Sequence, residues 1–173
     1  MSVSILEDDQ YIIYLNSSNV ETNADGTRRT ADNDADFTTD IRQMTLSPNH
    51  EWVVGVVDVV LYNPNNTNSP IAPINSQPIV IASDIGINVR NGATTDNILY
   101  ITKPLGNTTP ATNLYYGEKN KSTPIAWRPI RNRNITNINI KVFTLFSKLP
   151  VKWDGSTGDR GYNSITLCIK KVK

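Results

Sequence analysis

The sequence predicts an all-β domain of about eight to ten short strands, arranged as a β-sandwich or barrel. Three observations support this prediction. Short runs of β-branched and aromatic residues, which favour a pleated sheet over a helix, recur along the 173 residues. Ten prolines and nine glycines fall mostly between those runs, where turns are expected. No stretch shows the 3.6-residue apolar period of an amphipathic helix.

The longest apolar run, EWVVGVVDVVLYN at 51–63, predicts the central strand. With a period of two, one face carries Val53, Gly55, Val57, Val59 and Leu61, and the other carries Trp52, Val54, Val56, Asp58, Val60 and Tyr62. A strand with one solvent-exposed face would alternate apolar with polar residues, whereas both faces here are apolar apart from one carboxylate. We expect the first face to line a core between two sheets, with Gly55 at a bulge or close approach that leaves no room for a side chain. The second face, which is also apolar, must then be buried by other segments of this chain or by another chain.

Shorter runs of the same kind predict the remaining strands. In chain order they lie at 11–15, 37–41, 79–83, 98–101, 113–116, 138–144, 151–153 and 164–170. The segment 127–134 is basic and contains a proline, which favours an edge or a connection. In the last strand, alternation turns Ile165, Leu167 and Ile169 inward and leaves Thr166, Cys168 and Lys170 on the opposite face. Long loops rich in Asn, Pro and Thr are expected between strands, above all at 16–36 and 63–70.

Composition and charge exclude several classes of function. The 17 basic and 16 acidic residues leave a net charge of +1, so no overall field attracts nucleic acid or an anionic membrane. One cysteine rules out an intrachain disulfide, and one histidine cannot build a site that needs two imidazoles. The first nine residues do not resemble a signal peptide, and the run at 52–62 is about half as long as a membrane span. We therefore expect one soluble domain over residues 1–173, made in a reducing compartment, without membrane insertion or a specific nucleic-acid partner.

An acidic cluster is spaced like the opening of a calcium-binding loop. Its members are Asp32, Asn33, Asp34 and Asp36. A calcium loop also needs glycine at its sixth position and glutamate at its twelfth, where this chain has Phe37 and Gln43. We therefore expect a solvated loop here and no metal.

The other reactive residues form no catalytic pattern. His50 has no second imidazole beside it, and Cys168 has no base to activate it. Arg128, Arg131 and Arg133 lie close to Trp127 and could contact the phosphates of a nucleic acid, but we favour an edge that faces solvent or a partner. We expect no catalytic residue and no cofactor, so the protein is not expected to be an enzyme.

The order and spacing of the apolar blocks are specific enough to compare with a known family. The blocks are Asp36-Phe37-Thr38, EWVVGVVD at 51–58, Tyr62-Asn63, IVIASDI at 79–85, ILYITKP at 98–104 and the C-terminal segment 135–171. Together they resemble the penton proteins, the single jelly-roll minor capsid proteins of virophages and Maverick/Polinton-like viruses. The chain departs from that family at 146–148, where the family usually has Asp and Gly, and by a longer Gly-rich insertion at 154–161.

This resemblance implies a single jelly-roll β-sandwich of about eight strands with long Asn/Pro-rich loops. It implies a penton, a homopentamer that fills the fivefold vertices of an icosahedral capsid among trimers of a double jelly-roll major capsid protein. It also implies a virion protein that is assembled inside the host cell and not secreted, with no cofactor and no catalytic residues. A length of 173 residues suits one jelly roll and not two.

The second face of the central strand is then the expected interface between copies. Its residues are Trp52, Val54, Val56, Asp58, Val60 and Tyr62, with Phe143 added from a neighbouring strand. Asp58 should be held there by a lysine, an arginine or a backbone donor, because an unpaired buried carboxylate is costly.

The alternative function is a carbohydrate- or receptor-binding module of a virion spike, which is also compatible with a jelly roll. Aromatic side chains on a concave sheet would carry that role. The candidates are Trp52, Tyr115, Tyr116 and Trp127.

Overall fold

A computed structural model describes residues 3–6, 10–17, 35–63, 78–85, 97–102, 114–119, 125–151 and 162–172; the side chains at 3–6, 62–63 and 114–119 lie outside the description. All named elements in these ranges are β-strands, so the predicted all-β class is confirmed. They are β1 (Val3–Leu6), β2 (Gln10–Asn16), β3 (Asp36–Thr45), β4 (Trp52–Asn63), β5 (Ile79–Ser83), β6 (Ile98–Ile101), β7 (Leu114–Lys119), β8 (Arg128–Pro129), β9 (Asn134–Thr144) and β10 (Tyr162–Lys171).

The strands form two antiparallel sheets that share one hydrophobic core. The first sheet has the order β1-β2-β10-β4-β7, with β8 also paired to β4, and the second has the order β3-β9-β5-β6. Inward-facing side chains of both sheets belong to a single buried cluster, which includes Ile13, Leu61 and Leu167 from the first sheet and Phe37, Ile81 and Ile140 from the second. The molecule is therefore a β-sandwich.

Eight of the strands pair in a nested order. β5 pairs with β6, β4 with β7, β3 with β9, and β2 with β10. Each pair encloses the previous one along the chain, and successive pairs lie in alternate sheets. The chain thus follows the path of one long antiparallel hairpin that is folded across both sheets.

Most predicted strands are found close to their predicted bounds. Those at 79–83 and 98–101 match β5 and β6, while β2, β3, β9 and β10 extend beyond the predicted runs and β7 ends three residues later. The basic segment 127–134 supplies only the two-residue β8 and the start of β9. Near the predicted strand at 151–153, Pro150 forms an isolated bridge with Phe143, and the residues after Val151 lie outside the description.

One strand is absent from the sequence prediction. β1 pairs with β2 in antiparallel fashion, so that Val3 lies opposite Ile13 and Leu6 lies opposite Gln10. Its four residues are followed at once by three acidic ones, so no long apolar run marks it in the sequence.

A β-bulge in β4 overturns the predicted assignment of its faces. On β10, Thr166 lies opposite Asp58 and the next residue, Leu167, lies opposite Val56. Val57 is therefore an extra residue, and the alternation resumes after it with the opposite phase. A strict period of two cannot be extended across such a position.

The core face of β4 consequently combines residues from both predicted faces. Trp52, Val54 and Val56 lie in the core before the bulge, and Val59 and Leu61 lie in it afterwards, each no more than 4% exposed. The prediction is confirmed for Val59 and Leu61. It is wrong for Val53 and Val57, which are only half-buried and do not belong to the core cluster.

Candidate functional site

Only some residues of the predicted subunit interface lie on the outer surface of the sandwich. Trp52, Val54 and Val56 are buried between the sheets of the single chain, so assigning them to an interface is wrong, for the reason given by the bulge. Asp58 and Val60 do lie on the outer face of the first sheet, because their neighbours Val59 and Leu61 point inward. Phe143 lies on the outer face of the second sheet. The side chain of Tyr62 falls outside the description.

Asp58 occupies the middle of a row of side chains that crosses the first sheet. Thr166 on β10 lies between Tyr14 on β2 and Asp58 on β4, and the backbone of Lys119 on β7 comes next. Directly opposed side chains in such a row lie roughly 4.5–5.5 Å apart at their Cβ atoms. The following row contains Ser164 and Val60. We refer to Tyr14, Asp58, Val60, Ser164 and Thr166 as the Asp58 face.

The Asp58 face combines an exposed aromatic ring with an unpaired carboxylate oxygen. Tyr14 is 46% exposed, whereas Thr166 beside it is buried. The Oδ1 atom of Asp58 is shielded from solvent and accepts no hydrogen bond from the described residues. A buried carboxylate oxygen without a donor is destabilising, so a donor from outside the described residues would be favourable here. The expectation that Asp58 is held by a basic or backbone donor therefore stays a prediction.

The other half of the outer face of β4 is covered by the chain itself. Val53 lies opposite Pro129, and the backbone N–H of Ile130 donates to the carbonyl of Trp52 at 2.9 Å. Just before them, the side chains of Ile125 and Trp127 pack over Gly55. We refer to residues 125–130 as the strap.

No side chain fits at Gly55 beneath the strap. A Cβ atom there would lie 3.1 Å from the Trp127 ring and in severe overlap, at 2.3 Å, with Cγ2 of Ile125. Nζ of Lys170 lies over the Trp127 ring, 4.0 Å from the ring centroid. The predicted lack of room at Gly55 is confirmed, although the obstruction lies on the outer face. The part of the outer face of β4 that the strap leaves uncovered therefore begins at the bulge.

The second outer face carries a row of apolar side chains. Val80 on β5 lies between Phe143 on β9 and Ile101 on β6, and Pro150 is bridged to the far side of Phe143. Val80 is fully buried, while Ile101 is 40% exposed. We refer to Val80, Ile101, Phe143 and Pro150 as the Phe143 patch.

A lysine and a second phenylalanine border the Phe143 patch at a tight turn. Lys148 is exposed, and its Nζ lies 5.2 Å from the centroid of the Phe143 ring. Lys148 has a positive φ of 57°, and its N–H donates to the carbonyl of Thr144 at 3.1 Å. Phe146, within the same turn, is 73% exposed. The turn thus presents a cation and an aromatic ring beside an apolar row.

Sequence reasoning found the central residues of both surfaces and missed their neighbours. Tyr14 could have been identified from the alternation in β2, since Ile13 and Leu15 point inward. The meeting of Phe143 with Val80 and Ile101 depends on the cross-strand register, which a single sequence does not reveal.

Cys168 is enclosed on the outer face of the first sheet. It is 4% exposed, and its Sγ lies 3.8 Å from Oε1 of Gln10. Burial raises the pKa of the Cys168 thiol above its ordinary value, and the nearby ammonium group of Lys170 acts in the opposite direction. A thiol that is buried and protonated at neutral pH is a poor nucleophile.

The other polar candidates form local structural contacts. Asp36 accepts a hydrogen bond from Nδ2 of Asn139 at 2.8 Å, whereas residues 32–34 lie outside the description. His50 is exposed, and its Nδ1 lies 3.2 Å from Oγ of Ser47. Within the described ranges, no three His, Cys, Asp or Glu side chains are grouped so that they could hold a metal ion.

The basic segment around Arg128 contributes a link between the sheets. The Nε–H of Arg128 donates to the carbonyl of Ile98 at 3.3 Å, which ties β8 of the first sheet to β6 of the second. Arg131 is exposed and Arg133 is half-buried.

Two of the four aromatic candidates for glycan binding pack against other residues of the chain. Trp52 is 4% exposed, and its indole N–H donates to the carbonyl of Ser47 at 3.1 Å. Trp127 packs over Gly55, and Nζ of Lys170 lies over its ring. The side chains of Tyr115 and Tyr116 lie outside the description.

Comparisons with protein-family models, curated proteins and solved structures give no match to this chain. Among the described residues, no helix is long and apolar enough to cross a membrane.

Proposed function

We propose that the chain is a viral capsid protein, a penton, whose homopentamers occupy the fivefold vertices of an icosahedral capsid. Its other partner would be a double jelly-roll major capsid protein. The observation that carries the proposal is the nested pairing of eight strands, β2 with β10, β3 with β9, β4 with β7 and β5 with β6. This order supports a single jelly roll, in which one long hairpin is wrapped into two packed sheets. The sequence resemblance to virophage pentons points in the same direction.

The outer surfaces support a role in assembly. Tyr14, Ile101 and Phe146 are large apolar side chains with 46%, 40% and 73% of their surfaces exposed. They lie on or beside the two outer faces of the sandwich, where they would be covered in a complex. Burial of such exposed side chains in a contact with another protein would be favourable.

The alternative, a carbohydrate- or receptor-binding module, receives less support. Such a module needs aromatic rings that are open to a ligand, whereas Trp52 lies in the core and the half-buried Trp127 packs over Gly55 and contacts Lys170. We therefore favour the assembly role over the binding role.

The copy number and position of the chain in purified particles test the proposal. We expect five copies around each fivefold axis in a reconstruction of the particle. In solution, native mass spectrometry should detect a species of about 96 kDa, five times the 19.2 kDa of one chain. A position away from the fivefold axis would contradict the penton role. Glycan binding by a monomer that forms no ring would favour the binding module.

A further inference from the structure

We propose that the ring closes through contact between the Asp58 face of one copy and the Phe143 patch of the next, with Lys148 paired to Asp58 across the contact. This inference rests on the proposed pentamer and names the two surfaces that would form it. The occupant of each surface is therefore a second copy of the same chain.

The two surfaces lie on different sides of the sandwich, as a head-to-tail contact requires. The Asp58 face lies on the outside of the first sheet, and the Phe143 patch lies on the outside of the second. Because the two sheets pack face to face around one core, their outer faces point in opposite directions. A contact between them is head-to-tail, and repetition of such a contact gives a closed ring when the rotation per copy divides a full turn.

Charge complementarity argues for the pairing of these particular surfaces. Oδ1 of Asp58 is buried and accepts no hydrogen bond from the described residues. Lys148 is exposed, and its Nζ lies over the Phe143 ring. A lysine from the next copy would supply a donor to the carboxylate of Asp58, and opposite charges at an interface also fix its register.

Apolar groups share both surfaces with the charged residue. On one surface Val60 is the next outward residue of β4 after Asp58, and Tyr14 lies one strand beyond Thr166. On the other, Lys148 lies over Phe143, and Ile101 lies one strand beyond Val80. Exclusion of water by these side chains would strengthen the ion pair and contribute the hydrophobic part of the contact. A specific contact of this kind should bury more than about 1,000 Å² in total.

A charge-reversal experiment tests the contact. Asp58→Lys and Lys148→Asp are made singly and together, and the mass of each variant is measured against concentration by analytical ultracentrifugation. Each single variant should raise the Kd of ring assembly by roughly 100-fold, because it places two like charges together. The double variant should recover most of this loss, since it restores an opposite pair in reversed order.

The structure suggests how to keep folding separate from assembly. Lys148 has a φ of 57°, a conformation that Asp adopts more readily than most residues, so Lys148→Asp should leave the fold intact. Arg131→Asp is the matched control, because it changes the charge by the same amount as Lys148→Asp. Arg131 is exposed and belongs to neither surface. If Asp58→Lys fails to fold, Phe146→Ser replaces it, since a side chain that is 73% exposed contributes little to the core.

The outcomes separate this inference from the proposed function. A wild-type pentamer whose Kd is unchanged by Lys148→Asp would overturn the contact and leave the penton role standing. A wild-type chain that stays monomeric at all concentrations and is absent from the vertices would overturn both. Loss of assembly in the single variants, recovery in the double variant and a normal ring with Arg131→Asp would support the contact.

Discussion

The substitution Gly55→Ala tests whether the strap lies against β4. A methyl group at this position would lie 2.3 Å from Cγ2 of Ile125, and it would also meet Trp127. Carbon atoms in favourable contact are about 3.5–4.0 Å apart, so the Ile125 methyl would have to move by roughly 1.2 Å or more. Because isoleucine is stiff at χ1, such a shift requires a change of rotamer or a displacement of the strap backbone.

The expected cost follows from this overlap. Overpacking by one methyl group typically destabilises a protein by about 1–3 kcal/mol. For a domain of this size, that corresponds to a fall in Tm of roughly 2–12 °C. An opposing effect is that alanine restricts the unfolded chain more than glycine does, by about 0.5–1 kcal/mol. We therefore expect Gly55→Ala to reduce the free energy of unfolding, and we expect the reduction to be smaller when the Ile125 side chain is removed.

A double-mutant cycle with Ile125→Ala isolates the contact. Urea unfolding should show that Gly55→Ala is destabilising in the wild-type background, and that it is clearly less destabilising once Ile125 is truncated, when the closer approach to Trp127 is what remains. Val60→Ala serves as the control, since Val60 lies on the same outer face of β4 beyond the bulge and its effect should add to that of Ile125→Ala. An unchanged urea midpoint for Gly55→Ala alone would refute the packing of the strap on Gly55.

Three further predictions concern the core and the outer face of the first sheet. Leu61→Ala should reduce the free energy of unfolding by roughly 2–5 kcal/mol because Leu61 is 1% exposed, and an unchanged urea midpoint would show that its face is misassigned. Lys170→Met should cost about 0.5–1 kcal/mol through loss of the cation–π contact, and this cost should vanish in a Trp127→Leu background. Cys168→Ser should cost roughly 1 kcal/mol or less near neutral pH, since Gln10 can accept from the serine hydroxyl. Because burial raises the pKa of the Cys168 thiol, the folded state keeps this proton to higher pH than the unfolded chain, and its contribution to stability is lost as pH rises above about 8.5. The wild type should therefore lose more stability than Cys168→Ser between neutral and alkaline pH, and equal losses in urea unfolding would contradict this.

Local alternation was sufficient to predict the strands that contain no irregularity. In β10, Ile165, Leu167 and Ile169 are fully buried in the core, as predicted from a period of two. The bulge between β4 and β10 leaves this pattern intact, because the extra residue belongs to β4. The period therefore predicts burial well wherever the strand itself is regular.

The bulge at Val57 explains why the same reasoning failed for β4. Val56 and Val57 are identical in side-chain chemistry, so residue type does not show which of the two is the extra residue. The bulge is defined by the register against β10, which depends on long-range pairing. The strict period of two placed Trp52, Val54 and Val56 on the same outward face as Asp58. Because the phase changes at Val57, that placement is correct for Asp58 and wrong for the other three.

The two apolar faces of β4 have separate physical origins on either side of the bulge. Before it, the outer face is apolar because the strap covers it, and Gly55 is the position at which Ile125 and Trp127 come closest to the sheet. After it, no covering side chain is described over Asp58 and Val60, and the carboxylate keeps a buried oxygen without a described donor. A segment that reads in the sequence as a basic edge thus supplies cover within the chain. Any contact with a neighbouring copy through this face is consequently confined to the half of β4 that follows Val57, where a complementary lysine would have the greatest effect.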